Sequence, residues 1–347
     1  MPLETRQQFA DLPHALQETL EKGWAEWGEV VRRTRWGEVP VHLVGSGASF
    51  SVGLAGAYAF ESLLGWPAVV RTPEEFQVYS QSVLRPRSIV IIISWEGSVG
   101  LLELVHTAKV RGATVLTLTH DAQSPLAKAA DGVVLARGGE GHRGDFTGGV
   151  CQFAAVHGFC LMAARALKRP SAQFDILEDE LRALPEHVEW VLTQLSDAVQ
   201  SLAGELAGQQ GLSIVAGGFY HPAALLAARA LRTLGRLTVQ VLTFDEAESL
   251  LTEALKPGED LLVLSGSRCR VKKPLHDLIE RLRRGGVKFL GVTDHNEPEV
   301  SRRAALAVLL PNLSEPVGSI VALTFLNWTA FQIASQRTRE GSPFRGV

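Results

Sequence analysis

VHLVGSGASFSVGLAGAYAFESLLGWPAVVRTPEEF (41–76) is met again, 171 positions later and without a gap, in LSIVAGGFYHPAALLAARALRTLGRLTVQVLTFDEA (212–247). In this register Val44 falls on Val215, Gly47 on Gly218, Ala57 on Ala228, Leu63 on Leu234, Thr72 on Thr243 and Glu75 on Glu246. The match runs on through Pro86 and Pro257 to Ser94 and Ser265. After a small insertion it pairs Gly112 with Gly286 and Thr119 with Thr293. A repeat of roughly 110–120 residues is too long for a solenoid, because each copy can close a core of its own. Two related domains follow.

Outward from these stretches, short apolar runs alternate with helical ones. VHLV (41–44), AVV (68–70), SIVIIIS (88–94), ATVLTLT (113–119) and GVVLA (132–136) read as strands, and so do LSIVA (212–216), TVQVL (238–242), DLLVLS (260–265), KFLGVT (288–293) and ALAVLLP (305–311). Most show no polar alternation, so both faces are buried, as in a parallel sheet covered by helices. Each copy is expected to be α/β, a flavodoxin-like or Rossmann-like sandwich in the broad sense. Leu16, Leu20, Trp24 and Trp27 recur at helical spacing and place a helical leader over 1–36. The expected organisation continues with a first domain over 37–170, a long connecting helix over 171–207, a second domain over 208–337 and a tail over 338–347.

The 347 residues, 46% hydrophobic and 20% charged, supply two cores of ordinary size. A formal charge of −3 gives no electrostatic reason to expect nucleic acid or an anionic membrane as partner. Cys151, Cys160 and Cys269 form no CxxC pair and are odd in number, which argues for a reducing, cytoplasmic setting. The start MPLETRQQF lacks a signal pattern, and no stretch reaches ~20 uninterrupted apolar residues. The nearest, 147–167, is broken by Gln152, His157 and Arg165 and reads as a buried helix.

In open parallel sheets ligands sit beyond the carboxyl ends of the strands. In the first copy GSGASFSVG (45–53) and SWEGSVG (94–100) follow strands and precede helices, offering Ser and Gly where backbone N–H groups could hold a phosphate. Plain helix capping would use the same residues. The second copy's counterpart, SGSRCRVKK (265–273), keeps Ser265 and Ser267 and adds Arg268, Arg270, Lys272 and Lys273 without an acid, so by charge it is the better anion site. His120-Asp121 and Asp294-His295, after matched strands, read as turn residues. No histidine or cysteine spacing suits a metal. GSGASF has Phe50 at the third position of a dinucleotide fingerprint, so no nucleotide cofactor is expected, and none of another kind.

GASFSVGLAGAYAFESLLGWP (47–67), RTPEEF (71–76) and LRPRSIVIIISWEGS (84–98) resemble segments of the SIS (sugar isomerase) domain family, in particular the tandem-SIS isomerase half of glucosamine-6-phosphate synthase. The resemblance covers about residues 38–335 and implies two SIS domains, a sugar-phosphate ligand and a homodimer. Carried over position by position, the implied substrate contacts are Ser49, Ser94, Glu96, Gly97 and Ser98. Glu96 stands where the family has a serine and Val99 where it has a threonine. A carboxylate so placed repels a phosphate unless it turns away or a cation such as Arg143 neutralises it. The position of the family's catalytic glutamate is Thr233, an earlier glutamate is Leu226, and a lysine falls on Ala230. The family's ring-opening histidine and carboxy-terminal lysine tail have no counterpart.

His221, before Pro222 at a helix start, and Glu246 are the remaining acid–base candidates, although Glu75 and Glu246 share a repeat position that suits helix N-terminal charge. Ser265, Ser267 and Arg268 are the second copy's candidate binding residues. The expected function is phosphosugar binding, with aldose–ketose isomerisation or amino-sugar-phosphate deamination through a relocated base. The alternative is a non-catalytic phosphosugar-binding or regulatory protein. Whether the chain is an enzyme stays open at this point. The expected partner is a small sugar phosphate, with neither nucleic acid nor membrane; the apolar helices around 147–168 and 318–335 add to the dimer expectation.

Overall fold

Each unbroken apolar run becomes a strand hydrogen-bonded to parallel neighbours. The computed structural model describes residues 2–36, 40–138, 146–169, 171–250 and 259–339. The chain divides into two compact units, Asp11–Pro185, and Met1–Ala10 together with Glu186–Val347.

In the first unit the elements are α1 (Pro2–Arg33, whose first residues belong to the other unit), β1 (Val41–Val44), α2 (Ala48–Ala59), β2 (Ala68–Arg71), α3 (Pro73–Glu75), β3 (Ile89–Ile93), α4 (Leu102–Val110), β4 (Thr114–Thr119), α5 (Pro125–Ala129), β5 (Gly132–Leu135), α6 (Thr147–Ala166) and α7 (Gln173–Arg182). The strand order is β2-β1-β3-β4-β5, all parallel. Order reverses between β1 and β3, so the crevice where ligands of such sheets bind lies beyond the carboxyl ends of these two strands. The central β1 and β3 are buried throughout, while edge β2 is only half-buried. On one sheet face Phe76, Val90, Ile92, Leu104, Val105 and Val115 form a core. On the other, α2 lies close because Gly56 has no side chain: a Cβ there would stand 2.7 Å from Leu43 Cδ2 and 2.8 Å from Val156 Cγ2 of α6.

The second unit holds α8 (Leu184–Gln194), α9 (Ser196–Ala207), β6 (Gly211–Ala216), α10 (Tyr220–Thr233), β7 (Thr238–Leu242), α11 (Phe244–Leu250), β8 (Glu259–Leu264), α12 (Lys272–Arg284), β9 (Leu290–Asp294), α13 (Pro298–Ser301), β10 (Leu306–Leu310) and α14 (Glu315–Arg339). Its order, β7-β6-β8-β9-β10, is that of the first unit element for element, again all parallel. The repeated sequence thus yields a repeated topology. Phe9, from the start of α1, packs here on Trp328 and Phe331 of α14, with ring centroids 4.9 and 5.9 Å apart.

Two expectations change. In place of one connecting helix, three follow in succession, broken at Ala183 and at Leu195. Pro185, with no N–H to give the preceding turn, accounts for the first break. The apolar helices α6 and α14 are long enough to cross a bilayer by composition alone, yet both are largely buried within this chain. They therefore supply no argument for a partner subunit, and the homodimer rests on the resemblance alone.

Candidate functional site

At the reversal point of the first sheet, the loop after β1 turns on Gly47 (φ 57°) into α2, whose first turn carries Ser49, half-buried, with its N–H on the Ser46 carbonyl at 3.1 Å. The loop after β3 begins at Ser94, whose N–H is held by the Leu118 carbonyl of β4 at 3.0 Å. Ser94 Oγ accepts the Ser98 N–H at 3.4 Å, which bends residues 94–98 into a cup ahead of the 3-10 turn Val99–Leu101 and α4. Gly97, at φ 64°, lies flat against Ser124; a Cβ would overlap that side chain. The N–H groups of Glu96, Gly97 and Val99 have no acceptor among the described residues. Ser94, Glu96, Gly97 and Ser98 are thus in one loop, and Ser49 lies in the first turn of α2, after the adjoining strand.

Glu96 is exposed and makes no ion pair with a described residue, and Ser98 is exposed as well. Arg143, the cation suggested for Glu96, lies outside the described residues. Behind the loop stand residues the sequence pattern left as a turn. The Trp95 carbonyl accepts the Thr119 hydroxyl at 2.8 Å and the His120 N–H at 3.2 Å, and His120 Nδ1 also lies on it. The Trp95 and His120 rings stack at 4.6 Å and 12°. Ser124 caps α5 through the Ala127 N–H at 3.2 Å and donates to the Asp121 carbonyl at 2.8 Å, so the wall behind Gly97 is fixed.

The matched loop of the second unit is closed by the protein's own acids. Ser267 N–H donates to Asp294 Oδ2 at 2.6 Å, and Asp294 Oδ1 takes the Asn296 N–H at 2.8 Å and Asn312 Nδ2 at 3.1 Å. Asn312 also donates to Ser267 Oγ. Glu315, only 4% exposed, accepts the Phe219 N–H at the start of α10 at 3.2 Å, and burial raises its carboxyl pKa above the ordinary value. Ser265 is buried, while Arg268 and Arg270 are exposed. An acid-free anion site, expected from SGSRCRVKK, is not what the fold assembles: Asp294 and Glu315 arrive from 27 and more residues along the chain. Burial beside Glu315 also pushes the Cys269 thiol up to about 12, leaving it un-ionised.

Of the acid–base candidates, Glu246 accepts the Thr243 N–H at 2.8 Å and its hydroxyl at 2.9 Å, while Thr243 Oγ1 accepts the Glu246 N–H at 3.3 Å. The repeat partner does the same, Thr72 and Glu75 forming a capping box at α3. These bonds hold both carboxylates below their ordinary pKa. His221, in the first turn of α10, is held below the ordinary imidazole range by burial, against the opposing pull of the Glu246 carboxylate and the Ala216 carbonyl. The fold brings His221 and Glu246 within electrostatic reach. Thr233, at the family's base position, donates its hydroxyl to the Arg229 carbonyl at 2.7 Å, and Leu226 and Ala230 are buried.

The fold that carries these two serine loops has relatives among known proteins. Residues 40–162 match the SIS domain family. Over 338 residues, 94% of its length, the chain is 27% identical to the glutamine–fructose-6-phosphate aminotransferase (isomerizing) of Methanothermobacter thermautotrophicus, of which it covers 53%. The chain spans about half the length of the curated relatives it matches. In fold it resembles the C-terminal domain of glucosamine-fructose-6-phosphate aminotransferase from Francisella tularensis (TM-score 0.84, 16% identity, 96% of each chain). It also resembles tagatose-6-phosphate ketose/aldose isomerase from Escherichia coli (TM-score 0.74, 14% identity, 96% of this chain and 92% of that one). The SIS match takes in the loops after β1 and β3, 45–47 and 94–98. The second unit has the same strand order without being part of the match.

Proposed function

We propose that the protein binds a phosphorylated sugar or amino sugar, with the phosphate in the cup formed by residues 94–98. The observation that carries this reading is the row of N–H groups at Glu96, Gly97 and Val99, left without a described acceptor at the reversal point and flanked by the Ser94 hydroxyl. Such a nest supplies donors to a dianion at little reorganisation cost. Glu96 is exposed, so solvent screens its carboxylate from a phosphate held by the loop N–H groups. In this reading Ser49 contributes from the first turn of α2, the ligand is a small molecule, no cofactor takes part, and the chain works as a cytoplasmic homodimer.

With Thr233 hydrogen-bonded to its own helix, a phosphosugar-binding or regulatory protein is the reading the site supports best. A second reading, isomerisation or deamination, needs an acid–base group, and within the second unit His221, a half-buried imidazole in the field of the Glu246 carboxylate, is the candidate. Thermal-shift titration with fructose 6-phosphate, glucosamine 6-phosphate, the parent sugars and inorganic phosphate tests binding. A ligand present at 100 times its Kd should stabilise by about 2.7 kcal/mol, and Ser94→Ala should weaken the effect. If no phosphorylated compound shifts the transition, the proposal fails. Turnover of the stabilising compound that disappears in His221→Asn would establish the second reading.

A further inference from the structure

We propose that the residue following the matched threonine at the carboxyl end of the fourth strand of each unit decides whether the neighbouring serine loop accepts an external anion, His120 leaving the first loop open and Asp294 shutting the second. The inference rests on the phosphosugar reading of the first loop and deepens it by naming a specificity-determining residue.

The two positions are equivalent by sequence, since Thr119 pairs with Thr293, and by structure, since β4 and β9 hold the same place in matching sheets. The chain carries the pair His-Asp after one strand and Asp-His after the other. In the second unit the acid comes first, and its carboxylate reaches across to the Ser267 N–H at 2.6 Å. Ser267 corresponds to Glu96, one of the N–H groups left without a described acceptor in the first unit. The loop donor that would meet a phosphate oxygen is therefore taken by a built-in carboxylate in one unit and available in the other. Asp294 is only 3% exposed and locked by Asn296 and Asn312, so it does not step aside for a ligand.

In the first unit the imidazole at this place bonds to a carbonyl, that of Trp95, and not to a loop N–H. It lies stacked on the Trp95 ring, which holds the loop from behind without adding negative charge. The acid of the pair, Asp121, comes second. It is turned to the Gln123 N–H at 2.7 Å and takes none of the loop's donors. A single exchange of order within a two-residue turn thus changes an open nest into a filled one.

The test uses the full chain, with fructose 6-phosphate, glucosamine 6-phosphate and inorganic phosphate as probes in calorimetric titration. His120→Asp should reduce affinity by about thirtyfold or more, the effect of a like charge placed at an anion site. His120→Asn, which keeps a donor for the Trp95 carbonyl and adds no charge, should bind within a few-fold of wild type. Equal binding by wild type and His120→Asp overturns the inference while leaving the phosphosugar reading intact. Failure of the wild type to bind any of the three overturns the reading itself. Should His120→Asp not fold, Asp294→Ala decides: a second equivalent of inorganic phosphate per chain supports the inference, and an unchanged stoichiometry overturns it.

Discussion

Replacing Gly97 by alanine should damage the protein twice, once in stability and once in ligand affinity. Gly97 sits at φ 64°, where an L-residue costs about 1–2 kcal/mol. Its added methyl would overlap Ser124 Oγ and Cβ, and neither can retreat: Ser124 is 2% exposed and bonded to both the Ala127 N–H and the Asp121 carbonyl. Displacing Ser124 sacrifices the cap of α5, worth about 1 kcal/mol. The sum, about 2–3 kcal/mol, corresponds to a fall of roughly 5–10 °C in the melting temperature of a unit this size. Since the loop must move to make room, phosphate affinity should fall with it. Adding Ser124→Gly relieves the overlap but not the backbone strain, and should restore roughly a quarter to a third of the lost stability, since a glycine cap costs only a few tenths of a kcal/mol. Urea denaturation of wild type, Gly97→Ala and the double variant reads these differences. A single variant within about 0.5 kcal/mol of wild type, or a double variant less stable than the single, would refute the packing argument.

Arg337 donates to the carbonyls of Ala207 at 2.9 Å, Gln209 at 3.0 Å and Gly235 at 2.6 Å, covering the ends of α9 and α10; Arg337→Met should cost about 2–3 kcal/mol in urea denaturation. Thr243→Ala removes the hydroxyl half of the capping box at α11 and should cost about 1 kcal/mol by the same measurement, whereas Thr243→Ser should cost much less. Burial pushes His157 down to about 4, so between that value and the ordinary ~6.5 only the unfolded chain takes up the proton. Its contribution to stability is complete above pH ~6.5 and is lost as the pH falls towards 4, by about 3 kcal/mol in all. His157→Asn should flatten that acid limb in a pH series of melting curves, and an unchanged slope would contradict the assignment.

Strand positions could be read from the sequence because a strand buried on both faces is apolar at consecutive residues, a local property. All ten runs appear within two residues of their expected ends. The places of the loops after β1 and β3 could be read for a similar reason, since the apolar run stops at Ser and Gly, although capping and ligand binding would use the same residues. What could not be read depends on residues distant in the chain. SGSRCRVKK looks purely basic, and only the fold brings Asp294, Asn312 and Glu315 to it. The break at Leu195 has no glycine or proline to announce it. His120 and Asp294 were visible as residues, but what separates them is the direction in which each side chain bonds, toward a carbonyl or toward an N–H.

The division of α1 bears on how the chain is made. Phe9 completes the packing of Trp328 and Phe331, so the unit that begins at Glu186 includes a segment synthesised before any of it. During translation those first residues must wait through more than three hundred others for their neighbours, while Leu12, Leu16, Leu20 and Trp27 of the same helix can already bury themselves in the first unit. The start of α1 is thereby among the last segments to reach its place, and a fragment cut to begin at Glu186 would lack a piece of its own core.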